Sequence, residues 1–233
     1  MRPVAATAAL ILVAAAPCAA QVPPLPTPDW TWYLSAGVGL VGREVATWAP
    51  THRALAPTGW DSRYQTNCVY LCQSASDPVL GRPATSAVAA RRRLDDPWQL
   101  RVLGALASPG YYPGGYSGNV LVVRPKSATF SVQAVMTASG FWLAAGPSYY
   151  LGQVTTTAGP STSTTRKNGV GLVLTGGASF PRVTNWFIDA IVERRFAGSV
   201  NTPALPVPGA PDVPALTVGL SATVLSVGVG WRL

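Results

Sequence analysis

The segment Ser226 to Leu233, SVGVGWRL, sets Val227, Val229, Trp231 and Leu233 at every second position, with Leu225 just ahead. Ser226, Gly228, Gly230 and Arg232 lie between them. A period of two belongs to an extended strand with one apolar face and one small or polar face. The chain stops inside this pattern instead of on the polar, frayed tail usual for a soluble domain. The last strand is therefore expected to matter to its final residue. Upstream the phase slips by one at Val224–Leu225 and resumes through Ala222, Leu220, Val218 and Leu216. Such a slip reads as a β-bulge inside one long strand.

The same alternation recurs along the chain. Trp32, Leu34, Ala36, Val38 and Leu40 form one face; so do Phe130, Val132, Ala134, Met136 and Ala138. Eight such segments fall at about 30–43, 97–107, 118–124, 128–138, 141–154, 168–179, 185–197 and 215–233. Most reach the roughly 9–11 residues that a strand needs to cross a bilayer. The connections alternate in length. Residues 44–96, 155–167 and 198–214 are long, whereas Ser139-Gly140 and 180–184 are short. Two connections break that rhythm: 125–127 is tight, and 108–117 is of medium length but full of turn residues. In lipid every backbone N–H and C=O needs a partner within the protein, so a sheet can span only as a closed barrel. The expected fold is all-β, a single up-and-down antiparallel transmembrane barrel of about eight strands. Its short turns face the periplasm and its long loops the exterior.

Composition agrees. Charged residues are 11% of the 233, and the 23 glycines and 22 prolines are spread through nearly every segment, which suits turns and strands better than helices. The first twenty residues read as a signal peptide: Arg2, an apolar run from Ala5 to Ala16, then small residues before Gln21. Cys18 raises a lipoprotein anchor, but Pro17 stands where that processing needs a small residue. Residues 21–29 would be a short periplasmic lead, and 30–233 the barrel. Loss of the signal peptide lowers the formal charge from +8 to +7 and leaves two cysteines, Cys68 and Cys72. In an exported chain that pair points to a disulfide across the first loop, with two free thiols as the alternative. Zinc or haem attachment would need further Cys or His nearby, and His52 is the chain's one histidine.

Charge on a lipid-facing position costs about 2–4 kcal/mol at mid-membrane. Arg101, Asp189, Glu193 and Arg195 all fall on the other parity, and an eight-stranded barrel is just wide enough for its own side chains. These four are expected to form an ionic network plugging the lumen. Arg194 has outward parity but sits near a strand end, where the cost fades. Trp30, Trp32, Trp98, Trp186 and Trp231 also cluster at strand ends, as interface girdles do.

The tail resembles the terminal assembly signal of outer-membrane barrels: a polar residue, a glycine two on, an aromatic three further, and a final hydrophobic. Here these are Ser226, Gly228, Trp231 and Leu233, with Leu233 in place of the commoner phenylalanine. With the signal peptide and eight alternating segments, the whole mature chain resembles the small OmpA-type or surface-antigen-type eight-stranded barrels. The resemblance implies an outer-membrane location, a periplasmic N-terminus, and reading of the last strand by the barrel-assembly machinery.

Other motifs carry less. Gly37 to Gly42, GVGLVG, matches a dinucleotide-binding fingerprint, but the required helix does not follow. His52, with Asp61 or Asp77, is the one candidate for hydrolytic chemistry. Arg91, Arg92 and Arg93 are expected at the outer rim, where guanidinium groups could contact lipid phosphate, lipopolysaccharide included. No cofactor and no nucleic-acid partner is expected. The leading function is structural or surface-interacting, with binding specificity in the exterior loops. A small-solute pore is the alternative, and an outer-membrane hydrolase the third reading.

Overall fold

The computed structural model describes residues 30–39, 46–48, 60, 84–94, 97–107, 112–116, 119–138, 140–180 and 185–232. The strands are β1 (Trp30–Gly39), β2 (Ala46–Trp48), β3 (Ala84–Arg93), β4 (Trp98–Ala107), β5 (Tyr112–Tyr116) and β6 (Asn119–Ala138). They continue as β7 (Phe141–Ala158), β8 (Ser161–Phe180), β9 (Trp186–Phe196), β10 (Ser199–Thr202), β11 (Leu216–Gly219) and β12 (Ala222–Arg232). Eight of them pair in the order β4-β3-β1-β12-β9-β8-β7-β6, and β6 pairs back onto β4. The ring is closed and every pairing in it is antiparallel. This is the all-β up-and-down barrel expected from the alternation.

Side chains follow the pleat. In β9 Phe187, Asp189, Ile191, Glu193 and Arg195 are buried, while Trp186, Ile188, Ala190 and Val192 are exposed. Over the middle of the ring the outward set is mainly apolar, with polar and charged residues such as Arg92, Lys126 and Arg166 towards the strand ends, and the inward set mixes small, apolar and charged residues.

Four sequence-based boundaries are corrected. β3 lies within 44–96, which was expected to be one loop. Its sequence, ATSAVAARRR, puts small residues on both faces and so shows no contrast for the alternation to reveal. The segments 118–124 and 128–138 are one strand, β6. Pro125 interrupts its sequence but not the strand, because β4 pairs only up to Ser127 and β5 only from Val123. At Pro125 that edge carries no ladder bond, so the missing N–H costs nothing there. Residues 155–167 are not a loop: β7 and β8 stay paired to Ala158–Ser161 and turn at Gly159-Pro160. The phase slip near Val224 is not a bulge either. The chain leaves the barrel at Leu220-Ser221, and β11 joins a separate sheet, β10-β11-β2.

With these corrections the connections sort cleanly. Those at the end where β1 begins and β12 stops, called the termini end below, are 94–97, 139–140 and 181–185. Those at the opposite, loop end are 40–83, 108–118, 159–160 and 197–221. The two exceptions to the expected rhythm disappear, because 125–127 lies inside β6 and 108–117 belongs to the loop end.

Candidate functional site

Six strands send polar or aromatic side chains into one zone of the lumen. Arg91 on β3 donates from Nη2 to Asp189 Oδ2 on β9 at 2.7 Å, and Ser179 on β8 donates its hydroxyl to Asp189 Oδ1. Arg101 on β4 donates from Nη1 to Gln133 Oε1 (2.5 Å), Thr175 Oγ1 (3.0 Å) and Glu193 Oε2 (3.5 Å). Arg195 Nε donates to Glu193 Oε1 at 2.5 Å. The Trp142 ring on β7 lies between the two ion-pair groups. The guanidinium carbon of Arg91 is 4.4 Å from its centroid and that of Arg101 5.2 Å. All these polar and charged groups are buried: Asp189 and Gln133 are 0% exposed and Arg101 1%. The burial of charge is tolerable because each ion meets a counter-ion, and Asp189, Glu193 and Arg101 take further hydrogen bonds. Leu103, Val135, Val173, Phe187 and Ile191 pack around the same zone.

Above it, towards the loop end, a second core closes the barrel mouth. β6, β7 and β8 run on past the ring as a wall whose inner face offers Leu121, Val123, Val154 and Ala158. Against it pack Val200, Leu205, Val207, Val213, Leu216 and Val218 from 199–218, and Trp60 from the first loop. Trp60 Nε1 donates to the Pro211 carbonyl at 3.1 Å. Leu205 and Val213 bond each other's backbone at 2.9 Å both ways. Prolines at 203, 206, 208, 211 and 214 stiffen this segment, lowering the entropy lost when it folds down.

The outer surface is the reverse of a soluble protein's. Leu34, Val88, Val102, Phe130, Leu143, Val170, Ile188 and Val227 are among the large apolar side chains left exposed around the ring. From Phe141 to Leu151 the apolar face of β7 runs about 33 Å along the strand, or about 25 Å along the axis at the usual tilt, the height of a barrel's lipid band. Trp30, Trp32, Trp98, Trp186 and Trp231 ring the termini end, all exposed. Two stacks tie neighbours together, Trp30–Trp32 at 6.2 Å and Trp186–Trp231 at 5.1 Å. A closed sheet with an apolar outside, a polar inside and an aromatic girdle has one suitable solvent, a bilayer. This is a β-barrel of the outer-membrane type.

No protein-family model matches the sequence, and no curated protein matches it. Among solved structures, the barrel is similar to Neisserial surface protein A (14% identity, TM-score 0.45, covering 88% of this chain and 96% of that one). It is similar to outer membrane protein OprG from Pseudomonas aeruginosa (12%, TM-score 0.48, 89% and 97%). It is also similar to Ail, the attachment invasion locus protein of Yersinia pestis, solved with the heparin analogue sucrose octasulfate (12%, TM-score 0.43, 88% and 99%).

The residues singled out from sequence are distributed as follows. Arg101, Asp189, Glu193 and Arg195 all face the lumen, with Asp189 paired to Arg91 and the other three joined around Glu193. Arg91, Arg92 and Arg93 are at the termini end of β3, not at the loop-side rim. Arg91 points into the lumen, and Arg92 points outward, its guanidinium carbon 5.5 Å from the Trp30 ring centroid. This follows from the hidden strand: with β3 running back from the loop end, its last residues reach the opposite rim. Arg194 lies on the outer wall near the loop end, bonding Thr223 Oγ1 at 2.8 Å and covering Phe196. Ser226 and Gly228 face inward and Trp231 outward on β12. Gly37 and Gly39 are on β1, and no helix follows among the described residues. Leu233, Cys68, Cys72, His52, Asp61, Asp77 and residues 1–29 lie outside the described residues. Among those described, no group of His, Cys, Asp and Glu could hold a metal ion. Gln133, Trp142, Thr175 and Ser179 were not singled out from sequence. Their signal was parity, since each falls on the inward set of a strand already recognised. Trp60 gave no periodic signal at all.

Proposed function

We propose that the chain is an outer-membrane protein that displays its loop end to the exterior from a barrel closed to solutes. One observation carries this reading: buried ion pairs, Arg91–Asp189 and Arg101–Glu193–Arg195, fill the lumen zone below an apolar cap. A water path would have to separate those ions and lift Trp60 and the proline-rich segment together. The short turns at the termini end support a periplasmic N-terminus, and the long connections at the other end support an exterior surface for recognition. In this reading the barrel-assembly machinery recognises β12 and its tail, Cys68 and Cys72 staple the first exterior loop, and an anionic lipid such as lipopolysaccharide meets the loop-side wall. The protein performs no hydrolysis of its own.

Planar-bilayer recording tests it. The folded protein should give no discrete conductance steps, and should give them only when the lumen layer and the cap are opened together, as in R101A/E193A/D189A with residues 203–214 replaced by a short glycine-serine linker. Steady small-solute currents from the wild type would favour the pore. Hydrolytic activity lost on His52→Ala would favour the enzyme.

A further inference from the structure

On the lipid-facing wall near the loop end, β4, β6, β7 and β8 enclose an open groove of about 710 Å³. Its floor is apolar: Leu106, Ala128 and Leu151. One step towards the loop end the character changes. Lys126 is opposite Gln153, and Gln153 opposite Arg166, so the three form a single row across three neighbouring strands. All three have outward parity, and Lys126 and Arg166 are exposed. Two strand spacings put the two cations about 10 Å apart. Lys167 also borders the groove but, opposite the inward Gly152, has inward parity, and no acidic residue lines the groove. Lys126, Arg166 and Lys167 form no ion pair with any described residue. Asn168 is held in place by donating to the Tyr149 hydroxyl at 2.7 Å.

Two cations stand above an apolar floor with no acid lining the groove, which leaves positive charge for an anion to neutralise. The row sits where the outward apolar band ends, which is the level of lipid headgroups. Long cationic side chains there lay their stems on apolar surface and hold their charge at the interface, and guanidinium is well matched to phosphate. We propose that this groove binds a phosphate-bearing, acylated lipid of the loop-side leaflet, of the kind lipopolysaccharide is. The phosphate lies on the Lys126–Gln153–Arg166 row and an acyl chain along Leu106, Ala128 and Leu151. The proposal rests on the reading that the loop end faces the exterior leaflet, and it moves the expected lipid contact from Arg91–Arg93 to a different set of residues.

The test uses the full-length protein folded in detergent, with its heat-dependent gel shift as the check on folding. The probes are purified lipopolysaccharide and the same material stripped of phosphate. The wild type should bind the first at least tenfold tighter than the second, and the preference should shrink as salt screens it. K126Q/R166Q should lose at least tenfold, while R92Q, on the outer wall at the other end, should bind like wild type. Should the double variant lack the gel shift, K126Q and R166Q singly are expected to lose at least threefold each. Wild-type affinity in the cation variants, or equal binding of both probes, would overturn the proposal. Displacement of the lipid by inorganic phosphate at low millimolar concentration would overturn it too, because the site would then recognise a free anion without its acyl chains. A wild type with no gel shift would instead indict the barrel itself.

Discussion

Asp189 is 0% exposed and accepts from both Arg91 and Ser179. Removing one partner of such a pair leaves an uncompensated buried ion, at a cost of about 3–5 kcal/mol. Asp189→Ala is therefore expected to lower the urea midpoint for loss of the heat-resistant band by that equivalent. Arg92→Ala, an exposed neighbour of Arg91, should shift it by no more than about 0.5 kcal/mol. Trp142 makes a second residue-scale case. Its ring occupies the space a Cβ on Gly177 would need, directly across the β7–β8 ladder. Gly177→Val should cost about 1–3 kcal/mol through overpacking, read from the same titration. A Trp142 variant small enough to make room should recover part of that loss.

At the scale of the element, the paired stretch of β7 and β8 beyond the ring is the clearest departure from expectation. Residues 155–167 contain a dense run of Thr and Ser, which reads as a loop until the partner strand is known. Threonine is also a good strand former, and the two strands match Thr against Thr or Ser, as in Thr155–Thr164 with hydroxyls 3.2 Å apart. A loop would be cut by trypsin after Arg166 or Lys167. The folded hairpin should resist, so limited proteolysis with mass spectrometry separates the two. Its turn depends on Gly159, whose φ of 53° is left-handed and whose missing Cβ leaves room for the Asn119 side chain. Gly159→Val is expected to cost about 1–3 kcal/mol, seen as new tryptic cleavage near Arg166. The legible elements were those with strong contrast between faces: β1, β4, β9 and the barrel part of β12. β3 was hidden because Ala, Ser and Thr serve on both faces, and β6 was split because Pro125 reads as a turn where only its neighbours reveal a gap in pairing. Losing β3 also sent Arg91–Arg93 to the wrong end, since each missed strand reverses the direction of the next. The lumen charges survived that error, because parity along a strand does not depend on which way it runs.

For the whole molecule, the ring and the cap make different demands. The ring needs only closure and an apolar outside, which local alternation announces. The cap brings Trp60, Val123, Val154 and Val213 together from distant segments without any repeat, so nothing periodic could have revealed it. The seam has a further consequence. β1 and β12 join the ring from opposite ends of the chain, with Trp32 facing Trp231. Closing a segment of roughly 200 residues costs about 5 kcal/mol in chain entropy, before any contact across the seam can repay it. No shorter nascent chain can make that contact. The ring therefore cannot close before β12 has been made. A chain ending before β12 retains seven ring strands yet should never show the heat-resistant band. The time course of that band in the intact protein should follow a single slow step, set by the meeting of the two ends.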